Sequence, residues 1–342
     1  MGSRVTVVIS AGGTGGHIFP AQALAEELQK KCRVHFVASG LRFFENQNYP
    51  LHPVSSGTLS LRGVFKIVKG FIQSLFLLRK LRPNCVVSFG SFHTFPTVVA
   101  AKVLRIPVIL HEANAIPGKV NKWVSPYAAF TGIHFPQTAS LLKGKIIKVG
   151  MPVRRALTND DPCKYFQLKA DKKTLLIFGG SQGAAAINEW VLQGVPNGWQ
   201  IIHCTGSEES ARKARALYDS QKIPAYVTPF EQRMDLARKV ATCVVGRSGA
   251  ATITELVNDA IPAILVPYPF ATDNHQEYNA RYFTDTVKGG VMIKQSALEK
   301  RSLKDVLDQF DFVGYKQNIQ HHKNSENHPS FSELLQTEGY LS

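Results

Sequence analysis

At 342 residues the chain exceeds what one hydrophobic core ordinarily holds, which points to two domains. A composition of 44% hydrophobic and 19% charged residues excludes a wholly disordered chain, and no segment reaches the roughly 20 uninterrupted apolar residues of a membrane span. Lys and Arg outnumber Asp and Glu by 40 to 25, so an anionic partner is expected, although nucleic acid, anionic lipid and phosphorylated substrates all satisfy that charge.

Val5 to Ser10 is a short β-branched run ended by glycines, as in a buried parallel strand. A helix is expected next: Pro20 suits a first turn, and Ala21, Ala23, Leu24, Ala25 and Leu28 are helix formers. Further strands at Val34 to Ala38, Cys85 to Phe89, Val108 to His111 and Ile146 to Val149 alternate with helical or loop segments, the pattern of a Rossmann-like domain. From Thr174 the plan restarts, with strands at Leu175 to Phe178, Ile201 to Cys204, Ala225 to Val227, Cys243 to Val245 and Ala263 to Val266. The polar cluster Thr158 to Pro162 marks the expected boundary, giving domains 1–157 and 158–342. Within the second, the polar stretch 318–332 reads as loop or disorder. Two such domains would leave a cleft between the carboxyl ends of their strands, where ligands of these folds bind.

Five scattered cysteines (Cys32, Cys85, Cys163, Cys204, Cys243) lack metal-ligand spacing, so they read as reduced thiols and no metal or other cofactor is expected. The N-terminal residues show neither a basic n-region nor an apolar stretch of secretory type, so a cytosolic chain with at most peripheral membrane contact is expected.

The first glycine loop, Gly12, Gly13, Thr14, Gly15, Gly16, His17, lets the backbone approach a ligand and present its amides, or serves simply as a tight turn. It is not the dinucleotide fingerprint: Ile18 stands where a glycine belongs, and Ser39 and Gly40, not a carboxylate, end the second strand. G-x-x-x-x-G-K-[ST] is also absent, which disfavours a Walker-type hydrolase. His17 is a candidate general base for an acceptor hydroxyl, or a histidine bonding its own loop. In the second half, Gly179 to Ala184 and Gly246 to Thr252 each precede a helix, and such helix N-termini attract phosphate. Thr252 and Thr254 either cap that helix or meet a ligand, and Glu255 either offsets the helix dipole or accepts ribose hydroxyls.

The motifs GGTGGH with Pro20, HEANAIPG at 111–118, PVR at 152–154, GGSQGA at 179–184, GRSGAATITE at 246–255 and DNHQEYNA at 273–280 resemble, in order, those of the MurG glycosyltransferases. The resemblance spans roughly residues 4 to 285, and the joint match is far more specific than any one loop. It implies the GT-B fold, two Rossmann-like domains facing an interdomain cleft, with lipid I received by the first domain and UDP-N-acetylglucosamine by the second. It further implies that Thr14, Gly15 and Gly16 border the donor sugar and acceptor diphosphate, that Asn114 faces the sugar, and that Arg154 reaches the donor. His17 becomes the catalytic base, Ser181 a diphosphate contact, and Ala250, Ala251, Thr252, Ile253, Thr254 and Glu255 the cradle for uridine, ribose and phosphate. Gln276 would hold the sugar, with Phe230 and Met234 beside uracil. The expected reaction is an inverting transfer of N-acetylglucosamine to the muramyl 4-hydroxyl in peptidoglycan synthesis, and the absence of D-x-D argues against a strict metal requirement. The chain departs from the family pattern at Gly90 to Pro96, where paired glycines and a serine are usual, at Met151, where asparagine is usual, and after about residue 300.

Residues 61–82 mix twelve large apolar side chains with six Lys or Arg and no acid. Lys66, Lys69, Gln73 and Lys80 fall near one helical face, leaving the opposite face broad and oily, so the segment reads either as a core helix or as a surface for anionic lipid. The polyisoprenyl acceptor implied by the resemblance favours membrane docking, at the cytoplasmic face of the plasma (inner) membrane. Gly63, Gly70 and Gln73 argue against one continuous helix. Rival readings are another UDP-sugar GT-B enzyme, such as a glycolipid glycosyltransferase or UDP-N-acetylglucosamine epimerase, and a basic nucleic-acid-binding scaffold. His17, Arg154 and Glu255 speak against the scaffold, so no nucleic-acid partner is expected.

Overall fold

The structure is a computed structural model describing residues 5–13, 15–39, 48–57, 61–153, 160–180 and 183–341. The chain divides into two compact units, Met1–Arg154 with His328–Ser342, and Arg155–Asn327.

The first unit is built on seven parallel strands: β1 (Thr6–Gly12), β2 (Arg33–Ser39), β3 (Leu51–Pro53), β4 (Cys85–Ser88), β5 (Val108–Glu112), β6 (Phe130–Ile133) and β7 (Ile146–Lys148). Their order is β3-β2-β1-β4-β5-β6-β7. The unbroken apolar runs result from burial on both faces. Val7, Ile9, Ala11, Cys85 and Val87 point to a core shared with Leu24 and Leu28 of the helix Gly15–Leu28, while Val8, Val86 and Leu110 point to a second core shared with Leu78 of the helix Leu61–Leu81.

That second helix is continuous through Gly63, Gly70 and Gln73. Gly70 is buried, and a Cβ there would overlap the Ser55 carbonyl oxygen; Gln73 Oε1 accepts from Ser55 N at 2.9 Å. The glycine therefore allows close approach to the segment after β3, and the gain in packing outweighs its roughly 1 kcal/mol helix penalty.

The second unit has β8 (Lys173–Phe178), β9 (Trp199–Cys204), β10 (Ala225–Thr228), β11 (Cys243–Gly246), β12 (Ala263–Leu265) and β13 (Gly290–Met292), all parallel, in the order β10-β9-β8-β11-β12-β13. In each sheet the order reverses beside its first strand, between β1 and β4 and between β8 and β11. The carboxyl ends at such a switch point are where open α/β sheets bind ligands.

The C-terminal stretch differs from the expected loop. Most of 318–332 is ordered: Phe312–Ser325 is a helix capped by Asp311, whose side chain accepts from Gly314 N at 2.9 Å, and it buries Ile319 completely. A capping box between Ser330 and Glu333 then starts the helix Phe331–Thr337. Phe331, Leu334 and Leu335 enter the first unit's core, and Gly150 bridges to Ser330, so residues from His328 onward belong with the first unit instead of the second. The division falls at 154/155 instead of 157/158.

Candidate active site

At the switch point of the first unit, β1 ends in Gly12, Gly13 turns the chain with φ +92°, and a helix starts at Gly15. His17 stands in its first turn, with Nδ1 2.7 Å from the carbonyl oxygen of Phe89, the residue after β4. A carbonyl oxygen only accepts, so Nδ1 carries the proton and the neutral ring keeps its lone pair on Nε2. The strands on either side of the switch point therefore fix both the position and the tautomer of the histidine.

The HEAN loop is organised by a residue that motif reading passed over. Glu112, 3% exposed, accepts from Asn114 N at 2.9 Å, Gly118 N at 2.9 Å, Asn121 Nδ2 at 2.8 Å and, more weakly, Asn114 Nδ2 at 3.4 Å. A buried carboxylate is tolerated only when its lone pairs are satisfied in this way, and the same bonds orient the Asn114 amide. Asn121 also donates to His111 O at 3.1 Å and lies against Gly90, joining the HEAN loop to the one after β4. His111 itself is core: its ring packs between Phe89 and Phe331, and burial, with smaller contributions from His134 and His17, lowers its pKa to about 3, keeping it neutral.

The departing loop keeps a glycine-like backbone. Ser91 takes φ +70° where the family usually has its second glycine, and its hydroxyl donates to Gly12 O at 3.2 Å. That bond to the first glycine loop offsets part of the roughly 1–2 kcal/mol cost of a left-handed residue.

In the second unit, Gly180 and Gly183 turn the chain with φ +86° and +72°, and a Cβ on Gly183 would press on Thr205 O. The helix Ala250–Asp259 after β11 is entered through Gly249, has no side-chain cap and carries no acid in its first turn. Its positive end lacks both usual compensations, an arrangement suited to a phosphate. Ala250 is buried, while Ala251 and Thr252 are partly exposed. Ile253 is fully buried, and the Thr254 hydroxyl donates back to Ala250 O at 3.0 Å, so these two side chains shape the helix and do not meet solvent. Glu255 is partly exposed and paired with Arg238 at 3.2 Å, which also holds Asp259 at 2.7 Å.

Gln276 is brought to this helix by residues absent from the expected set. Ser248 Oγ donates to Gln276 O at 2.7 Å, Asn279 Nδ2 donates to Ser248 O at 3.1 Å, and Gln276 Oε1 accepts from Tyr268 N at 3.0 Å. With its oxygen engaged, Gln276 offers its NH2 group. Arg247 contributes no open cation: it donates to Val266 O and Pro267 O at 3.1 Å and to Gln295 Oε1 at 2.8 Å. Phe230 is 56% exposed, and Met234 lies 3.9 Å from Cys204 Sγ. Thr14, Arg154 and Ser181 lie outside the described residues.

Models of the glycosyltransferase family 28 N-terminal and C-terminal domains match residues 7–133 and 174–335. With the two Rossmann-like sheets, they define the class: a glycosyltransferase of GT-B fold. The chain is 47% identical over 309 residues to the UDP-N-acetylglucosamine--N-acetylmuramyl-(pentapeptide) pyrophosphoryl-undecaprenol N-acetylglucosamine transferase of Protochlamydia amoebophila (strain UWE25), covering 84% of this chain and 82% of that one. It is 35% identical over 333 residues to the enzyme of the same name from Halothermothrix orenii, covering 89% of each. The crystal structure of Acinetobacter baumannii MurG superposes with a TM-score of 0.75 at 27% identity, covering 98% of this chain and 99% of that one. The chain belongs to the MurG family.

Proposed function

We propose that the chain transfers N-acetylglucosamine from UDP-N-acetylglucosamine to the muramyl 4-hydroxyl of lipid I, giving lipid II. The observation that carries this reading is His17, whose Nδ1 is committed to Phe89 O, so that Nε2 can take a hydroxyl proton. The first unit receives the acceptor, with Gly15, Gly16 and Asn114 beside it, together with Thr14 as the family resemblance implies. The second unit receives the donor: Ala250 to Thr252 present backbone amides to the diphosphate, Glu255 accepts from ribose, and Gln276 donates to the sugar. Arg154 and Ser181 join the donor contacts by resemblance alone.

In the reaction, the acceptor oxygen attacks the anomeric carbon as the bond to UDP breaks, inverting that centre, while its proton passes to Nε2 of His17. Negative charge grows on the departing UDP. Fixed amides at a helix end require no reorganisation to meet it, and a charge at such an end gains about 0.3–1 kcal/mol, up to about 2 kcal/mol when partly buried.

We also place the chain on the cytoplasmic face of an anionic membrane through the helix Leu61–Leu81. Phe65, Val68, Ile72 and Phe76 lie along one exposed stripe, with Phe65 78% and Phe76 66% exposed. Exposed Lys66, Lys69, Arg79 and Lys80 flank it, each worth about 1 kcal/mol near anionic lipid. The lysines lie beside the exposed apolar stripe, whereas the face opposite it holds Gly70, Ser74 and Leu78 in the interior. No described helix is long and apolar enough to cross a membrane.

The test is UDP release from UDP-N-acetylglucosamine with and without a soluble lipid I analogue. Release that requires acceptor and yields a β-1,4-linked disaccharide supports the transfer. Conversion of the donor without acceptor points to an epimerase.

A further inference from the structure

The loop after β4 departs from the family pattern, and His93 within it is held more firmly than a surface histidine requires. Its Nδ1 lies 2.6 Å from Ser39 Oγ, at the carboxyl end of β2, and 2.6 Å from Ser56 Oγ, just beyond β3. His93 N donates to Ser91 Oγ at 3.2 Å, and Ser91 Oγ in turn donates to Gly12 O. The ring edge covers the first glycine loop: a Cβ placed on Gly13 would stand 3.0 Å from His93 Cδ2 and 3.5 Å from Nε2. Two segments thus hold the imidazole, with Nδ1 turned into the protein and Nε2 beside Gly13, at the entrance to the helix that carries His17. Burial and the nearby His17 both lower the His93 pKa, which favours the neutral ring.

We propose that His93 is a binding residue for the acceptor, its Nδ1 accepting from the Ser39 and Ser56 hydroxyls so that Nε2–H donates to a phosphate oxygen of the acceptor's diphosphate. This rests on the transferase reading above. In this tautomer the one Nδ1 lone pair is shared by the two serine hydroxyls and the ring proton sits on Nε2, whereas the other tautomer would leave Nε2 without a proton to donate. An N–H aimed at an anion is a strong, directional contact. With its proton on Nε2, the ring adds no second base beside His17.

The test compares wild type, His93→Ala and His93→Gln, with KM measured separately for UDP-N-acetylglucosamine and for a soluble lipid I analogue. Loss of one charge-assisted bond raises the acceptor KM about tenfold in His93→Ala, with donor KM and kcat little changed. His93→Gln, whose amide nitrogen reaches near the place of Nε2, recovers most of that loss. The penalty disappears on a muramyl acceptor lacking the diphosphate. An unchanged acceptor KM, an equal rise in both KM values, or the same penalty with and without the diphosphate overturns the assignment. Titration with a short-chain prenyl diphosphate reads the contact without turnover: weaker binding to His93→Ala than to wild type supports the subsite even if transfer fails, and equal or no binding to the two contradicts it.

Discussion

The two units share a strand order but differ in the segments that leave the strands where that order reverses. In the first, the residues after β1 and β4 hold side chains: His17 against Phe89 O, Ser91 against Gly12 O, and His93 between Ser39 and Ser56. In the second, the corresponding ends lead into glycine turns and a helix without a side-chain cap, so backbone amides are presented there. One unit positions side chains at its switch point and the other presents backbone amides there, and neither property is dictated by the sheet. Ligand chemistry on such a scaffold is set by a few residues beyond the strands.

The sharpest way to break that contrast is to remove the proton acceptor. His17→Ala should lower turnover by about 10² to 10⁴, the usual contribution of a positioned general base. Steady-state assays with saturating donor check this, and near-normal turnover would assign the proton to another group. Next in size is the exposed stripe on the first unit. Replacing Phe65, Ile72 and Phe76 together by Ser should weaken binding to anionic vesicles by about a hundredfold or more, since burying each apolar side chain is worth about 1.5–3 kcal/mol. Flotation measures the partition, while turnover of a soluble acceptor should stay near wild type; unchanged flotation would place the lipid surface elsewhere.

A separate expected effect, on stability and not on binding or turnover, concerns two buried histidines, one in each unit. The His111 pKa is lowered to about 3 and that of His203 to about 4, both chiefly by burial. His203 is satisfied as a neutral ring, with Tyr218 OH and Asn188 Oδ1 each at 3.0 Å. Because both folded values lie below the ordinary 6.5, the unfolded chain takes up protons first as pH falls. Stability should therefore decline below pH 6.5 by about 1.4 kcal/mol per pH unit per histidine, levelling off below each folded pKa. Denaturant midpoints between pH 7 and about 4.5 test the slope, and His203→Gln should remove one histidine's share of it.

Much of this fold is legible in the sequence because most strands are buried on both faces and read as unbroken β-branched runs. Three are not. Leu51–Pro53 is three residues ended by proline, Phe130–Ile133 contains Gly132 packed on Phe331, and Gly290–Met292 starts with a glycine whose Cβ would overlap Ala263 O. The two glycine-containing strands give up apolar bulk to let another element approach. The C-terminal helices are hidden by polar composition, although Ser330, Glu333 and the apolar Phe331, Leu334 and Leu335 carry a capping box and a helical stripe.

At the site, motifs and family resemblance point to His17, Asn114, Gln276 and the 250–255 helix, but not to the bonds that make them usable. Phe89 is 72 residues from His17, and Ser248 and Asn279, although they stand within the motifs, position Gln276 together with Tyr268 through contacts that spacing does not reveal. His111 and His17 are the same residue type beside glycine-rich or motif segments. Only packing separates the core ring from the one whose tautomer is fixed.

The division of labour between the units is tested most directly by calorimetric titration of UDP into wild type, His17→Ala and Glu255→Ala side by side. His17→Ala should bind UDP with unchanged Kd, and Glu255→Ala should bind about tenfold more weakly or worse, through loss of a hydrogen bond to a charged acceptor. Weakened UDP binding in His17→Ala together with normal binding in Glu255→Ala would contradict the assignment of the donor to the second unit.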